Sequence, residues 1–541
     1  MASLASMRTG RRIGHAACVL AISWSAAHAQ DSPSDRWLTL GRTPARLATN
    51  AQTAMPDLTE PSWRGAVGPG GDDFRLSLAS GAVVADGRVI VPGTIGGQDV
   101  LGAFDASTGA PLWATEVPPP VFDSWATPSI DAGNGQVVHA SDFVVTSLDV
   151  ATGQVRWQTE LVWDAVNVSP AITWDLGPRD RAFVTDFDPF VGEGSLYCIN
   201  VDPFDPVDNP YEPGQIVWVR EIGDTGGASP AYADGVVYVA TTGASGSGAG
   251  RIMAFDAQAS GAPPAMWEFT NVIDAGFFGP VVVVGVDGAS WVYAASFGFF
   301  GGRTGSNLVK LDASNGALLW SIASNRTNTA PVVLADGRVV VSGGLWGFGT
   351  VPTLQMFEDR GASAEMVWDS AADTWTDSDS DGVMEPGEFL AIGGWTVQPA
   401  AATPGALSWL AVGVLEPGGA DFAPPHELVL IDLDADPGSF GFVRARSTDA
   451  DHDHIAAGGS PAFTEELLIV SGPDGPIAYR TGRRFDVDRD GLVSVDDLHA
   501  WEQGRGERDV DADGAVDASD REALIAALRA GEAADMTAGR R

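Results

Sequence analysis

Short runs in which apolar and polar positions alternate recur along most of the chain. They read GRVIVPG (87–93), QVVHASD (136–142), RAFVTDF (181–187), GVVYVAT (235–241), SWVYAAS (290–296), RVVVSGG (338–344), SWLAVGV (408–414) and ELLIVSG (466–472). Alternation of this length, rich in Val and bounded by Gly, Pro, Asp and Ser, predicts β-strands rather than helices. A marker precedes each run: a small residue, Pro, then a small or β-branched residue. It falls at Pro128, Pro170, Pro230, Pro280, Pro331, Pro399 and Pro461, with Gly81 in place of Pro in the first copy. Successive markers lie 47, 42, 60, 50, 51, 68 and 62 residues apart.

A second pattern follows the first. AFDASTGAPLW (103–113), SLDVATGQVRW (147–157) and KLDASNGALLW (310–320) share one spacing, and looser copies end at Trp218, Trp267 and Trp368. Trp63 and Phe442 hold comparable places. Each copy reads as a strand, a tight Asp-x-x-Thr/Asn-Gly turn, and a strand ending in Trp. Gly supplies the left-handed backbone and Asp binds the turn amides. Eight units of about four strands at this period predict a mainly β, eight-bladed β-propeller, with seven blades as the alternative. The last unit lacks a Trp-bearing fourth strand. The stretch around Trp63 can supply it and close the ring, which removes open edges.

Composition agrees and narrows the function. Of 541 residues, 45% are hydrophobic and 19% charged, with a formal charge of −40. That is a folded chain with an acidic surface, and it excludes nucleic acid as a partner. Lys310 is the sole lysine. Residues 1–29 read as a secretory signal: Arg8, Arg11 and Arg12, an apolar stretch, then Ala27-His28-Ala29. No later segment is apolar enough to span a bilayer. The expectation is an exported, soluble protein of the periplasm or exterior. After cleavage Cys198 stands alone, so no intrachain disulfide is available.

The sharpest chemistry lies in three Asp-rich loops. DVDRDGLVSVDD (486–497) and DVDADGAVDASD (509–520) place oxygens at positions 1, 3, 5, 7 and 12 and Gly at position 6. That is the calcium-loop pattern of an EF-hand, because Ca²⁺ takes six to eight hard oxygen ligands. The expected ligands are Asp486, Asp488, Asp490, the Leu492 carbonyl and Asp497 in the first loop. In the second they are Asp509, Asp511, Asp513, the Ala515 carbonyl and Asp520. Val493 and Val516 could pair between them, and a helix should follow each loop. A third copy, DSDSDGVMEPGE (377–388), offers Asp377, Asp379, Asp381, the Val383 carbonyl, Glu385 and Glu388. It reads as an inter-blade insertion over 373–392. Its flanking helix is expected over 365–376 or 388–392.

The AxDxxTGxxxW motif with its Ser-Pro strand resembles the repeat of pyrroloquinoline-quinone (PQQ) propellers over about 37–482, and WLTLGRTPAR (37–46) resembles their lead-in. That family includes quinoprotein alcohol dehydrogenases and an outer-membrane-assembly propeller lipoprotein. Its dehydrogenases carry an adjacent-cysteine disulfide over the quinone. This chain has no cysteine pair, so Ca²⁺ is the expected cofactor and PQQ is not. Residues 483–531 resemble a dockerin, a tandem half-EF-hand module whose family partner is a cohesin domain on a scaffold or cell surface. Val495-Asp496 and Ala518-Ser519 replace the usual Ser-Thr recognition pair.

The expected organisation is a signal (1–29), a lead-in (30–59), a propeller (60–482), the calcium module (483–531) and a tail (532–541). One mouth of the propeller should gather Asp123, Trp125, Asn167, Asp224, Asp274, Phe277, Arg326, Asn328, Trp395, Gln398, His452 and His454, suited to a glycan or peptide. The segment Asp449–His454 reads as a solvated acidic loop. No catalytic constellation emerges, so the function reads as a non-catalytic binding or scaffold module. The alternatives are a quinoprotein oxidoreductase and an accessory of extracellular polysaccharide breakdown.

Overall fold

The computed structural model describes residues 35–504 apart from short segments, the longest being 415–426, 448–459 and, Val487 excepted, 481–494. Beyond 504 it describes only 516, 518, 521, 522, 524, 525 and 528. Residues 1–29, read above as a secretory signal, therefore lie outside the described residues.

The chain is mainly β. Among the described residues its strands form eight sheets of propeller pattern and one two-stranded ribbon. In the fifth sheet the strands Val282–Val286, Ala289–Ala295, Ser306–Asp312 and Leu318–Ser324 pair antiparallel in sequence order. The fourth and sixth sheets repeat the plan with Ala231–Ala233 and Val332–Val333 as first strands. Each alternating run of the sequence becomes the second strand of a sheet. Val89, Ile90 and Val91 are all buried, although alternate side chains point to opposite faces. Both faces are covered by neighbouring sheets, so the buried pattern is continuous rather than alternating.

The second sheet is drawn as three strands, with one continuous run Gln136–Asp149. Ser147 Oγ nevertheless donates to Gln136 Oε1 at 2.7 Å. An extended run would hold these two residues roughly 36 Å apart. The run therefore doubles back at Asp142, whose φ is 53°, and supplies two strands.

The last sheet takes its fourth strand from the start of the chain. Trp63–Arg64 pairs with Gly475–Arg480, placing Trp63 opposite Ala478. The Trp residues also bind one sheet to the next. Trp63 Nε1 donates to the Ala106 carbonyl at 2.8 Å and Trp113 Nε1 to Val150 at 3.0 Å. Each indole lies on the Gly of the neighbouring turn; a Cβ at Gly109 would sit 2.6 Å from the Trp63 ring. Gly109 also has φ +70°, so backbone and packing both demand Gly there. Asp105 Oδ1 accepts from the Ser107 and Thr108 amides at 3.0 Å each. This is the turn chemistry the motif implied.

The segment from Trp37 to Asn50 was not legible as structure. It runs as a belt along the first strands of the sheets and meets them in chain order. Trp37 exchanges backbone bonds with Val84 of the first sheet, and Leu38 accepts from Ile130 of the second. Pro44 accepts from Tyr232, Ala45 from Val283 and Ala48 from Ala401, in the fourth, fifth and seventh. Ala48 packs with Val332 of the sixth. Asn50 Nδ2 donates to Phe463 of the eighth at 2.9 Å. The belt meets the sheets in order and the eighth packs against the first in one core, so the sheets surround one axis. The belt curls tightly enough through left-handed residues at Gly41, Arg42, Arg46 and Ala48.

Candidate functional site

The inserted loop follows a strand, Ala364–Asp369, not the expected long helix. A helix of five residues, Ser370–Thr374, intervenes, and Asp369 caps it by accepting from the Ala371 and Ala372 amides. No helix runs over 388–392 among the described residues. The 365–376 expectation fails because residues 364–369 complete the sixth sheet, where Met356 pairs with Trp368. An apolar cluster of Ala371, Phe389 and Ala391, with Trp346, Trp375 and Met384 against it, supports the loop.

Three of the expected ligands converge. Carboxylate oxygens of Asp377, Asp379 and Glu388 all lie within 4.8 Å of one another. Asp381, Glu385 and Val383 belong to the same loop but not to that cluster. The Gly382 amide donates to Asp377 Oδ2 at 3.1 Å, Asp381 N to Asp379 Oδ1 at 3.1 Å, and Val383 N to Asp381 Oδ1 at 2.7 Å. Gly382 at position 6 has φ 78°. Glu388 is held from four sides. Ser378 donates from N and Oγ to Oε1 at 2.7 and 2.6 Å, and Trp375 Nε1 and Glu385 N point at Oε2. The bonds from Ser378 hold the Glu388 carboxyl down at about 2. The charges of Asp379 and Asp381 push Glu385 up. A ring of hard, ionised oxygens with one carboxylate fixed in place fits Ca²⁺ or Mg²⁺ better than a soft metal.

Most of the C-terminal loops lie outside the described residues. Asp486, Asp488, Asp490, Leu492, Asp509, Asp511, Asp513, Ala515 and Asp520 belong there, as does Val493. Of the ligands expected in these two loops only Asp497 is described. It is buried and sits in the first turn of the helix Val495–Glu502. That helix begins inside the loop, two residues before its last position, Asp497. Val487, Ala500, Trp501 and Leu524 form a small core of their own. Val516 is exposed.

At the propeller mouth the structure brings together Trp125, Asn167, Phe278, Asn328 and Gln398. The space between them is about 10 Å³, room for one water molecule. Asn167 accepts from the Trp125 amide at 3.3 Å, and Gln398 bridges to Ala330 N at 2.7 Å. Phe277 is fully buried in the apolar core and lines nothing. Arg326 is buried over the Phe297 ring. Asp123, Trp395, His452 and His454 lie outside the described residues. Asn325, three residues before Asn328 of the mouth, is 1% exposed and its amide oxygen and nitrogen both lack partners. Sequence patterns did not single it out, because only the fold shows that it is buried.

The belt meets the channel from the other side. Arg46 is fully buried; its Nε and Nη2 reach the Pro230 carbonyl at 2.9 and 2.7 Å, and Nη2 also reaches Ser169 at 2.7 Å. Its Nη1 reaches Thr39 Oγ1 at 2.7 Å and Leu40 O at 3.1 Å. Burial pushes the guanidinium down to about 9, still protonated at neutral pH.

Sheets in sequence order around one axis, tied by Trp-to-Gly contacts, define a β-propeller fold. The comparisons with known proteins agree. Residues 45–200 match the family described as outer membrane protein assembly factor BamB. The fold is similar to a quinohemoprotein alcohol dehydrogenase of Pseudomonas putida HK5, with 11% identity, 83% of this chain and 80% of that one covered, and a TM-score of 0.53. A europium-containing methanol dehydrogenase gives 10%, 81%, 90% and 0.55. The quinohemoprotein alcohol dehydrogenase of Comamonas testosteroni gives 11%, 85%, 85% and 0.51. Identities this low establish fold alone. No curated protein matches the chain. Among the described residues no helix is long and apolar enough to cross a membrane.

Proposed function

We propose that the chain is an exported, eight-bladed propeller that acts as a non-catalytic binding or scaffold protein and binds calcium. The observation that carries the non-catalytic reading is how little open space the described residues leave along the axis. The belt occupies one end, with Arg46 tied to three separate segments, and the described residues at the mouth enclose about 10 Å³. That space does not take a tricyclic quinone. The lone buried Cys198 offers no disulfide to cover one.

Calcium binding rests on the twelve-residue spacing of three loops and on the convergence of Asp377, Asp379 and Glu388. Bound at the inserted loop, the ion neutralises the mutual repulsion of these carboxylates and fixes the sixth-to-seventh connection. In the C-terminal module it should drive folding, since crowded carboxylates repel without it. That module is the docking element of the proposal, with a cohesin-like or cell-surface domain as its partner.

Reconstitution with PQQ and calcium tests the first part. The reading expects no bound quinone absorption band and no dye-linked alcohol oxidation; either signal overturns it. The second reading, a quinoprotein oxidoreductase, draws its support from the unpaired, buried Asn325 amide. The same experiment separates the two. Capture by a cohesin that is lost on Asp486→Ala with Asp509→Ala would support the docking role.

A further inference from the structure

A cavity of ligand size lies away from the mouth. It has a volume of about 390 Å³, within the range of small-molecule sites. Arg36 and the belt residues Leu38, Thr43 and Pro44 form one wall. The second and third sheets form the others, where their first strands turn: Ile130 and Asp131, then Ile172, Trp174, Asp175 and Asp180. The first strands run from the mouth toward these turns, so the cavity opens at the opposite end of the axis. The belt separates the two.

Three features of the lining act together. The first is an aromatic plate at the rim. Trp174 is 40% exposed, and its ring stands edge-on to Tyr232 at 5.7 Å and 89°. Tyr232 Oη in turn donates to Asp175 Oδ1. An exposed indole braced in this way presents a fixed apolar face. The second feature is unmet hydrogen-bonding capacity. Thr43 is 6% exposed, and its hydroxyl has no partner. Arg36 is anchored to Asp86 at 2.8 Å through Nη2, while its buried Nε also lacks a partner. Buried donors left unpaired cost free energy, so they mark a place where a ligand or water belongs. The third feature is an acceptor wall. Asp180 takes Thr173 Oγ1 at 2.7 Å and Leu176 N at 3.2 Å, both on Oδ1. Asp175 takes Tyr232 on Oδ1. Each therefore keeps a second carboxylate oxygen to offer.

A ligand that satisfies this lining needs groups that both donate and accept, set around a ring with an apolar face. A simple organic cation would meet the carboxylates but would leave the Arg36 N–H facing a like charge. A simple anion would meet Arg36 and face the carboxylates. Sugar hydroxyls donate to Asp175 and Asp180 and accept from Arg36 and Thr43, while the C–H face of the ring lies on Trp174. We infer that the cavity between the belt and the second and third sheets is a carbohydrate-binding site, with Trp174 as its stacking platform.

Full-length protein titrated with glucose, galactose, mannose and cellobiose tests this by calorimetry, with saturation-transfer NMR to identify the bound protons. The expected result is millimolar or tighter binding of at least one sugar. Trp174→Ala should weaken it at least tenfold and Thr43→Val severalfold. Trp125→Ala, at the mouth, should leave it unchanged. Trp174 is partly exposed, so its substitution should spare the fold; an unchanged melting temperature checks this. Absence of binding for all four sugars at 20-fold excess over ~1 mM would overturn the inference. So would binding that survives Trp174→Ala, or that is lost with Trp125→Ala instead.

Discussion

Replacing Arg46 with Met keeps much of the side-chain volume and removes every N–H. The Leu40, Ser169, Pro170 and Pro230 carbonyls and the Thr39 hydroxyl then lose the guanidinium donor. A stranded buried acceptor costs about 1–3 kcal/mol. The variant also no longer buries a charge, and that relief offsets several kcal/mol. The expected net loss is about 3 kcal/mol, at the upper end of ordinary single substitutions. Arg46→Lys should recover less than half of it, because one ammonium cannot span the Pro230 and Ser169 carbonyls and Thr39 together. Urea unfolding followed by far-UV circular dichroism measures the change, read as a shift in midpoint at constant slope. A loss below about 1 kcal/mol for Arg46→Met would refute the belt as the tie between the sheets.

Further outcomes follow from the same physics. Lys310 and Asp359 form a buried pair at 2.6 Å, with Trp291 and Tyr293 facing the ammonium. Lys310→Ala should cost about 3–5 kcal/mol in chemical denaturation, because it leaves a buried carboxylate unpaired; adding Asp359→Asn should restore part of it. Trp63→Ala, which breaks the closing strand's contact with Gly109, should cost about 3–5 kcal/mol and speed proteolysis near the chain start. Burial pushes the Asp186 carboxyl up from 3.8 to about 6. Its contribution is full below pH 3.8 and is lost as the pH rises through about 6. Asp186→Asn, whose oxygen can still accept from Ser195 N, should flatten the stability curve across that window in pH-dependent melting.

Much of this architecture was written in the chain. The Asp-x-x-Thr-Gly turns and the Trp ends are local chemistry, so their spacing carried the sheets and even the closing strand at Trp63. The belt was hidden because its bonds are to residues up to hundreds of positions away. Arg46 carries no motif; only the closed ring makes it the centre of six hydrogen bonds. The inserted Asp-rich loop was legible through its twelve-residue spacing. Its short helix was not, because strand pairing to 369 took the residues that helix would have used. The cavity at Trp174 was invisible for the same reason as the belt. Its walls come from three separated segments, and nothing near Trp174 in sequence announces them.

The central claim is a calcium-binding propeller, and calorimetric titration of the calcium-free, full-length chain tests it most directly. Three loops with the ligand spacing predict three calcium ions bound per chain. Glu388→Ala should remove one of them and leave the other two. A titration that shows no calcium binding would contradict the account.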